Sequence, residues 1–250
     1  MLDASVQRLI EARRTRQTVS AANACPPDAL AAYAAQDAVA HALGWFGAAP
    51  ARHWKSGGPS RTAVLTHAPL PPDGVWVSPA DARAWPFHLR GIEAEIALRL
   101  GQEVTPAQAM TLDATQASAL VDAMCVSIEV VDSRWQEGFD APALAKLADL
   151  QSHGALVLGD WVPFAPRDWG AQRCRVQIGA QPAVERQGSH SLADPAWLLP
   201  AWLRHATRDG QSIPAGTVVT TGTWVGILHA ARGELVSAEF PGIGRASVQL

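Results

Sequence analysis

The stretch GIEAEIALRL, residues 91–100, places two glutamates in a run of mostly apolar residues. Side chains of a β-strand alternate between its two faces, so Glu93 and Glu95 would point the same way, with Cα atoms roughly 6 to 7 Å apart. Two carboxylates at that separation can share one cation. In a helix they would lie about 200° apart and could not share a ligand. Glu, Ala and Leu are also good helix formers, so local propensity leaves both structures open.

A third glutamate lies in a similar context further along the chain. The run CVSIEVVDSRW, residues 125–135, is β-branched and alternating, which predicts a strand that carries Glu129. Three carboxylates on adjacent strands would form an oxygen-rich site for a hard divalent ion such as Mg²⁺ or Mn²⁺, whereas zinc would need a nearby His or Cys. The alternative is that Glu93 and Glu95 lie on the solvated face of an edge strand. Alternation places Asp132 on the face opposite Glu129.

Composition indicates a globular protein and argues against several functional classes of protein. The 250 residues are 48% hydrophobic and 17% charged, and 20 Lys and Arg against 23 Asp and Glu provide no basic surface for nucleic acid. Three scattered cysteines without a CxxC pair suggest neither a disulfide framework nor a thiolate zinc site. No signal peptide or membrane span is expected, so we expect a cytoplasmic protein. The GxSxG, HExxH and GxGxxG motifs are absent from the sequence.

Periodicity and capping residues predict helices at the start of the chain and strands in most of the rest. Asp28 and Gly44 have the residue types that begin and end a helix, and Pro200 should kink or break another. The C-terminal part from Ala215 is a series of β-prone runs separated by glycine, so the pattern predicts an α+β fold with a mixed sheet system. The predicted helices are 5–14, 28–44, 105–124, 142–150 and 194–210, and short strands are predicted at 62–65 and 74–77.

Four segments together resemble a known enzyme group. They are HWKSGG (53–58), RGIEAEIALRL (90–100), SIEVVDSRW (127–135) and the glycine-rich TTGTWVGILHAARGELVSAEFPGIGRASV (220–248). The chain resembles the 2-keto-4-pentenoate hydratase / 4-oxalocrotonate decarboxylase group of the fumarylacetoacetate hydrolase superfamily. The resemblance implies a mixed β-roll with N-terminal helices, usually in a homo-oligomer. It divides the chain into an N-terminal helical segment, 1–47, packed on a catalytic domain, 48–250.

The resemblance also implies roles for particular residues. The three glutamates would bind Mg²⁺ or Mn²⁺, and Lys55 would be a proton-transfer group. In ADLQSHG, residues 148–154, Asp149 and Ser152 match an Asp-Asn-x-Ser motif whose serine helps to hold the substrate, with Leu150 in place of the Asn. The predicted site residues are Glu93, Glu95 and Glu129 for the metal, Lys55 for catalysis, and Ser152, Thr221 and Thr223 for substrate binding.

The loop around the lysine departs from the family pattern. Family members commonly read YKIGLTS and continue to an acidic residue, whereas this chain reads HWKSGGPSR and lacks that Asp. Four nearby polar residues are candidates to replace this Asp, and the sequence does not rank them. His153 is either a substrate contact or an ordinary loop residue. Arg134 is expected to pair with a carboxylate, with a structural role favoured over a substrate contact. The four substitutes are Ser56, Ser60, Arg61 and His67.

The implied function is a divalent-metal-dependent hydratase of a small 2-hydroxy-2,4-dienoic acid, formed in the catabolism of aromatic ring-cleavage products. A buried lysine near a cation has its pKa lowered, which would allow Lys55 to transfer protons near neutral pH. The alternatives are decarboxylation of a 2-oxo-3-enedioate, hydrolysis of a C–C bond in an acylpyruvate, and a catalytically silent partner subunit that binds a metal or an oxo acid.

Overall fold

The structure, a computed structural model, describes residues 3–250, so the first two residues of the predicted segment 1–47 lie outside the described residues. Six α-helices occur among residues 3–250, and none of them is long and apolar enough to cross a membrane. The helices are α1 (Ala4–Thr15), α2 (Ala29–Leu43), α3 (Pro106–Thr111), α4 (Ala114–Ser118), α5 (Ala143–Ala148) and α6 (Leu199–Ala206).

The second N-terminal helix, α2, begins and ends at the residue types that the sequence predicts. The Asp28 side chain accepts a hydrogen bond from the backbone N–H of Ala31, and Gly44 ends α2 with a φ of 67°. The apolar faces of α1 and α2 share a buried cluster with Trp135 and α5. The helical segment therefore packs against the rest of the chain, while its boundary as a domain at residues 47 and 48 stays a prediction.

The remaining regular structure is β-strand and short 3-10 helix. The 3-10 helices are Pro72–Gly74, Gly138–Asp140 and Pro195–Leu198, and the strands are β1 (His53–Gly57), β2 (Thr66–Pro69), β3 (Val75–Val77), β4 (Ala80–Asp81), β5 (Gly91–Leu100), β6 (Val121–Val131), β7 (His153–Leu158), β8 (Val162–Pro163), β9 (Arg173–Ile178), β10 (Val184–Gln187), β11 (Val218–Thr220), β12 (Leu228–His229), β13 (Leu235–Phe240) and β14 (Gly244–Gln249).

The larger sheet places β5 at its centre. Seven strands of this nine-stranded sheet run in the order β2-β1-β11-β5-β6-β7-β3, while β12 pairs with β5 and β8 with β6. Strand β5 pairs antiparallel with both β11 and β6. The stretch 91–100 is therefore a strand with a neighbour on each side, which excludes both the helix and the solvated edge strand. Since β1–β11 and β3–β7 are parallel and the other pairs are antiparallel, the sheet is mixed, and the predicted α+β fold is confirmed.

A second described sheet, in the order β10-β9-β13-β14-β4, covers the apolar face of the first. The inward side chains of β5 and β6, such as Ile92, Ile96 and Ile128, lie in one buried cluster with Phe240 and Val248 of the second sheet. Because strand side chains alternate, burying these residues turns Glu93 and Glu95 toward the opposite face. The core between the sheets thus decides which way the carboxylates point.

Two predicted elements differ from the structure. The single helix predicted for 105–124 is wrong: α3 ends at Thr111, α4 begins after Asp113, and the last residues belong to β6. Asp113 and Gln116 form a second capping box, which starts a new helix inside the apolar pattern. The strand predicted at 62–65 is also wrong, because the strand in this region, β2, begins at Thr66.

The helix predicted for 194–210 is interrupted near Pro200, as expected. A 3-10 helix covers Pro195–Leu198, and α6 follows with Pro200 in its first turn, where a missing N–H costs no hydrogen bond. Trp202 on α6 is fully buried in the main core.

Two histidines that are uncharged at neutral pH, His67 of β2 and His205 of α6, lie where α2 contacts the larger sheet. The ring of His205 lies 4.3 Å from that of Tyr33 and 4.7 Å from that of His67, and the Ser56 hydroxyl lies 2.8 Å from His67 Nδ1. Burial, with a smaller contribution from the charge of Arg208, lowers the pKa of His67 to about 4. Protonation of this ring is therefore much easier in the unfolded chain.

We expect replacement of His67 by glutamine to reduce the loss of stability on mild acidification. Because the pKa is lower in the folded state, wild-type stability falls as the pH drops from about 6.5 toward 4, by about 2 kcal/mol at pH 5 from this residue. Urea denaturation at pH 7 and pH 5 measures the difference within each variant. His41→Gln, at an exposed position, is the control and should leave the difference unchanged. An equal acid loss in wild type and His67→Gln would contradict the assignment.

Candidate active site

Strand register brings the three predicted metal ligands together. Glu93 of β5 lies directly opposite Glu129 of β6, and Glu95 lies opposite Ser127. One carboxylate oxygen from each glutamate lies within 4.8 Å of the other two. We refer to Glu93, Glu95 and Glu129 as the carboxylate cluster. Two oxygen ligands at the 2.0–2.6 Å typical of Mg²⁺ or Ca²⁺ lie at most about 5 Å apart, so this spacing suits a single divalent ion.

The negative charges of the carboxylate cluster outweigh the positive charge beside it. Glu129 and Glu95 are 0% and 2% exposed. Burial, followed by the negative charges of the neighbouring glutamates, raises the pKa of Glu93 to about 8 and that of Glu95 to about 7. Such repulsion between buried carboxylates is relieved when a cation lies among them. The electrostatics of the site therefore favour an ion with more than one positive charge.

An unpaired oxygen supports the same interpretation. Oε1 of Glu129 accepts hydrogen bonds from Lys55 and His153, whereas its Oε2 is buried and has no hydrogen-bond partner among the described residues. A buried carboxylate oxygen without a partner is costly, and a metal ion would satisfy it. The all-oxygen donor set of the carboxylate cluster fits a hard divalent ion better than zinc.

Lys55 lies beside the carboxylate cluster, on β1. Its Nζ donates to Glu129 Oε1 at 2.6 Å and to the backbone oxygen of Gln151 at 3.2 Å. Burial lowers the pKa of Lys55, but the carboxylate cluster outweighs burial and raises it above the ordinary value. This is opposite to the direction expected from the sequence, because Glu129, Glu93 and Glu95 together outweigh burial. A bound divalent ion would offset that effect.

Glu95 is held by the last residue of β11 and by the segment that follows it. The hydroxyl of Thr220 donates to Glu95, and the backbone N–H of Gly222 donates to Glu95 Oε2 at 3.0 Å. Gly222 has a φ of 104°, a conformation that non-glycine residues rarely adopt. Ser127 Oγ lies 2.9 Å from Thr220 Oγ1 and continues this network on β6. One oxygen of Glu95 is therefore fixed by two donors.

A left-handed turn joins α5 to β7 and borders the site. Leu150, Gln151 and Ser152 have φ values of 52°, 55° and 59°, which is unusual for three consecutive residues with side chains. The turn points the carbonyl of Gln151 at Lys55 and places Ser152 in the wall of the cavity. Because such backbone is costly, its position here indicates a functional constraint on the turn.

The Asp149 and Arg134 pair supports this turn from behind. Arg134 Nε donates to Asp149 Oδ1 at 2.7 Å, and Arg13 Nη2 of α1 donates to the same oxygen at 3.1 Å. Asp149 is 1% exposed and is not among the residues that line the cavity. Arg134 therefore has the structural role that the sequence favours, and Asp149 anchors the turn to the N-terminal helices.

The predicted substrate-binding residues take different positions. Ser152 lines the cavity, and its hydroxyl is buried without a partner among the described residues. Thr223 also lines the cavity, but its hydroxyl donates to the carbonyl of Gly226. The hydroxyl of Thr221 donates to the carbonyl of Ile96, and its neighbour Thr220 is the residue that faces the cavity. Substrate contacts at Ser152, Thr221 and Thr223 stay predictions.

The four candidates to replace the missing Asp already have other hydrogen-bond partners. Ser56 is paired with His67, and Ser60 lies 3.0 Å from the hydroxyl of Thr62. Arg61 donates to the carbonyl of Leu192 and lies over the ring of Trp197. Each of these polar groups already has a partner in the loop or the core.

His153 contacts a predicted ligand. Its Nδ1 lies 3.0 Å from Glu129 Oε1, and burial lowers its pKa although Glu129 opposes that effect. Its Nε2 is buried and has no hydrogen-bond partner among the described residues. Because a neutral ring whose Nδ1 faces a carboxylate carries its proton there, His153 orients Glu129.

The sequence did not reveal three residues that shape the site. Thr220 lies one position before the predicted Thr221, and the alternation of β11 could have identified it. Gln151 contributes a backbone carbonyl, and Lys146 of α5 lines the cavity. Neither has a local sequence signal that separates it from an ordinary surface residue.

The cavity above the carboxylate cluster has a volume of about 400 Å³. Lys55, Glu93, Glu95, Ser152 and Thr220 lie on one part of its wall. We name the other part, formed by Val131, Phe139 and Ile227, the apolar wall. The cavity is large enough for a small organic molecule, and its wall offers both charged groups and hydrocarbon.

A mixed β-roll with buried carboxylates and a lysine at the base of a cavity defines a class of enzymes, in which the glutamates suit a divalent metal. The chain belongs to the fumarylacetoacetate (FAA) hydrolase C-terminal family, whose sequence profile matches residues 50–250. Within that superfamily, the group of 2-keto-4-pentenoate hydratase and 4-oxalocrotonate decarboxylase, which the sequence suggested, is confirmed.

The relatives are similar in sequence or in fold. The chain is 29% identical to 2-keto-4-pentenoate hydratase 2 of Dechloromonas aromatica (strain RCB) over 161 residues, 62% of this chain and 58% of that protein. The chain thus spans little more than half the length of that relative. Two structures of 4-oxalocrotonate decarboxylase from Pseudomonas putida G7 have TM-scores of 0.78 and 0.77, at 17% and 18% identity, and each match covers 98% of this chain and 95% of the other. One contains calcium and acetate, and the other magnesium and adipate.

Proposed function

We propose that the protein is a hydratase that depends on Mg²⁺ or Mn²⁺ and adds water to a 2-hydroxy-2,4-dienoic acid, giving a 4-hydroxy-2-oxo acid. The observation that supports this best is the convergence of three carboxylates, two of them buried, with Lys55 beside one cavity. The sequence similarity to a hydratase favours this reaction among those of the superfamily.

In this proposal each residue of the site has a separate role. The carboxylate cluster would hold the ion, and the ion would supply positive charge that stabilises negative charge on the 2-oxygen of the substrate. Lys55 would move a proton between that oxygen and a carbon of the diene, because its Nζ lies at the cavity wall. His153 and Thr220 would keep Glu129 and Glu95 in place. Assembly as a homo-oligomer stays a prediction.

Incubation with Mg²⁺ and 2-hydroxypenta-2,4-dienoate tests the reaction. We expect the ultraviolet absorbance of the diene to disappear with formation of 4-hydroxy-2-oxopentanoate, and a chelator to stop the reaction. The control is the same mixture without protein, because the dienol also ketonises in water. Loss of absorbance at the rate of that control would contradict the proposal.

The same preparation separates the alternatives. Release of CO₂ from 2-oxo-3-hexenedioate would indicate a decarboxylase, and cleavage of an acylpyruvate would indicate a C–C hydrolase. Binding of Mg²⁺ and an oxo acid without turnover of any of these would indicate a silent partner subunit. We favour hydration over this last alternative because Lys55 reaches the carboxylate cluster despite its altered loop.

A further inference from the structure

A second cavity lies where the N-terminal helices meet the larger sheet. Its volume is about 420 Å³, and neither Lys55 nor any member of the carboxylate cluster lines it. Its wall comes from α1, from the end of α2 and the residues after it, and from residues next to β6 and in β7. We name it the junction cavity. The residues of its wall that matter most here are Arg13, Trp45, Trp85, Asp132, Arg134 and His153.

Two largely buried guanidinium groups line the junction cavity and share one carboxylate. Arg13 Nη2 donates to Asp149 Oδ1 at 3.1 Å, and Arg134 Nε donates to the same oxygen at 2.7 Å. Because both nitrogens contact one atom, they lie at most about 6 Å apart. Asp149 itself does not line the cavity. A molecule in the junction cavity would therefore meet the two cations but not the anion that joins them.

This cluster has more free donors than free acceptors. Both oxygens of Asp149 accept from Arg134, and Oδ1 of Asp132 accepts from two backbone N–H groups. Only Nη2 of Arg13 donates to a described residue, and Nη1 of Arg134 has only Asp132 Oδ2 near it, at 3.8 Å. Burial, followed by the charge of Arg134, lowers the pKa of Arg13 to about 10, so Asp149 does not fully offset the two cations. An anion in the cavity would find guanidinium donors that have no other partner.

The rest of the wall favours a carboxylate with an apolar body. Trp45 and Trp85 line the junction cavity, and the guanidinium carbon of Arg13 lies 4.7 Å from the centre of the Trp45 ring. A planar carboxylate matches the planar donor fork of arginine. Asp73 and Asp132 also line the cavity, and their negative charges would repel a doubly charged phosphate more strongly than a carboxylate.

We propose that the junction cavity is a second binding site, and that its ligand is a small monocarboxylic acid with an apolar body. Arg13 and Arg134 bind the carboxylate, and the two tryptophans contact the body. The inference does not depend on the proposed function. His153 lines the junction cavity, and Nδ1 of the same ring lies 3.0 Å from Glu129 Oε1. The bound acid is thus within one side chain of the carboxylate cluster and takes no part in its chemistry.

Titration calorimetry with benzoate in the presence of a chelator tests this inference. The chelator keeps divalent ions out of the carboxylate cluster, so no metal draws the acid to the other cavity. Benzamide lacks the charge of benzoate, and acetate lacks its apolar body. We expect the wild type to bind benzoate about tenfold more tightly than either, because one comparison removes a charge-assisted contact and the other removes buried apolar surface. Binding of benzamide or inorganic phosphate as tight as that of benzoate would contradict a carboxylate site.

Variants of the wall show whether benzoate binds in the junction cavity. Arg13→Gln removes one charge while Arg134 still holds Asp149, so we expect a folded protein that binds benzoate about fivefold to tenfold more weakly. Arg14→Gln removes the same charge at an exposed position outside the cavity and should bind benzoate as wild type does. Equal benzoate affinity in wild type and Arg13→Gln, or an equal loss in both arginine variants, would overturn the inference.

A second variant covers the case in which Arg13→Gln is unstable. Trp85→Leu removes no charged group, and it should weaken benzoate binding while the affinity for acetate stays the same. Thermal unfolding with and without benzoate supports the titrations, because a ligand that binds only the folded state raises its stability. We expect benzoate to stabilise wild type and Arg14→Gln more than Trp85→Leu. An unchanged benzoate affinity in Trp85→Leu would show that the acid binds elsewhere.

Discussion

Replacement of Glu93 by alanine is expected to abolish Mg²⁺ binding and reduce turnover to background. Glu93 supplies one of three carboxylates that lie within 4.8 Å of one another, and the two that remain cannot surround an ion. The loss of affinity should exceed the roughly 10- to 100-fold effect of losing a residue that only orients a ligand. Isothermal titration with Mg²⁺ and the diene assay measure the two effects.

The metal-free stability of this variant distinguishes a ligand from a structural acid. Because burial and the neighbouring glutamates raise the pKa of Glu93, its removal should leave the metal-free protein at least as stable as wild type. Wild type should gain stability from added Mg²⁺, and the variant should not. Glu103→Ala, at an exposed position, is the control. Unchanged Mg²⁺ affinity in Glu93→Ala would remove the residue from the metal site.

Glu129→Gln is the matched variant for the fully buried ligand. Alanine at this position would leave Lys55 without the carboxylate that it contacts at 2.6 Å, so a loss of stability would accompany any loss of activity. Glutamine keeps an oxygen that can accept from Lys55 and removes the charge. We therefore expect a folded protein with the same loss of Mg²⁺ binding as Glu93→Ala. An equal loss in both variants would show that the missing carboxylate, and not altered packing, is the cause.

Replacement of Lys55 by methionine is expected to leave Mg²⁺ binding intact and to lower turnover by about 10²- to 10⁴-fold, the usual effect of a proton-transfer group. Removal of the ammonium also removes its repulsion of the ion, so Mg²⁺ affinity should stay the same or increase. Steady-state assays at saturating substrate and Mg²⁺ separate the catalytic effect from binding.

Lys55→Arg separates proton transfer from charge pairing. Arginine can pair with Glu129 but does not lose its proton in proteins, so it should restore the ion pair without restoring turnover. Folding and Mg²⁺ affinity of this variant are measured alongside the methionine variant. Turnover near the wild-type rate with arginine would show that Lys55 serves only as a charge partner, and the proposed proton transfer would be wrong.

The local pattern of the sequence predicts the strand that carries Glu129, whereas for residues 91–100 local propensity leaves helix and strand open. If 91–100 and 125–135 are strands, alternation places Glu93 and Glu95 on one face of the first, and Glu129 on the face opposite Ile128 and Val130 in the second, without knowledge of the fold. The capping residues of α2 and the break at Pro200 are equally local. Each of these features depends on neighbours within a few residues, and the sequence contains them directly.

Elements that depend on competition between signals were harder to predict. The apolar periodicity of 105–124 continues through Asp113, but the cap at that residue ends one helix and begins another. The last residues of the same run join β6, because pairing with β5 outweighs their helix propensity. Propensity is a weak preference that tertiary contacts override.

The sequence by itself determined the fold class and the family, and it predicted that Glu93 and Glu95 share one face if residues 91–100 form a strand. Only the tertiary structure decided that Glu93 faces Glu129, that Lys55 contacts Glu129 and that Lys146 reaches the same cavity. Alternation is a property of one strand, whereas these contacts join β1, β5, β6 and α5. They require the order of strands and the left-handed turn at 150–152, and neither follows from interactions between residues that are near in sequence.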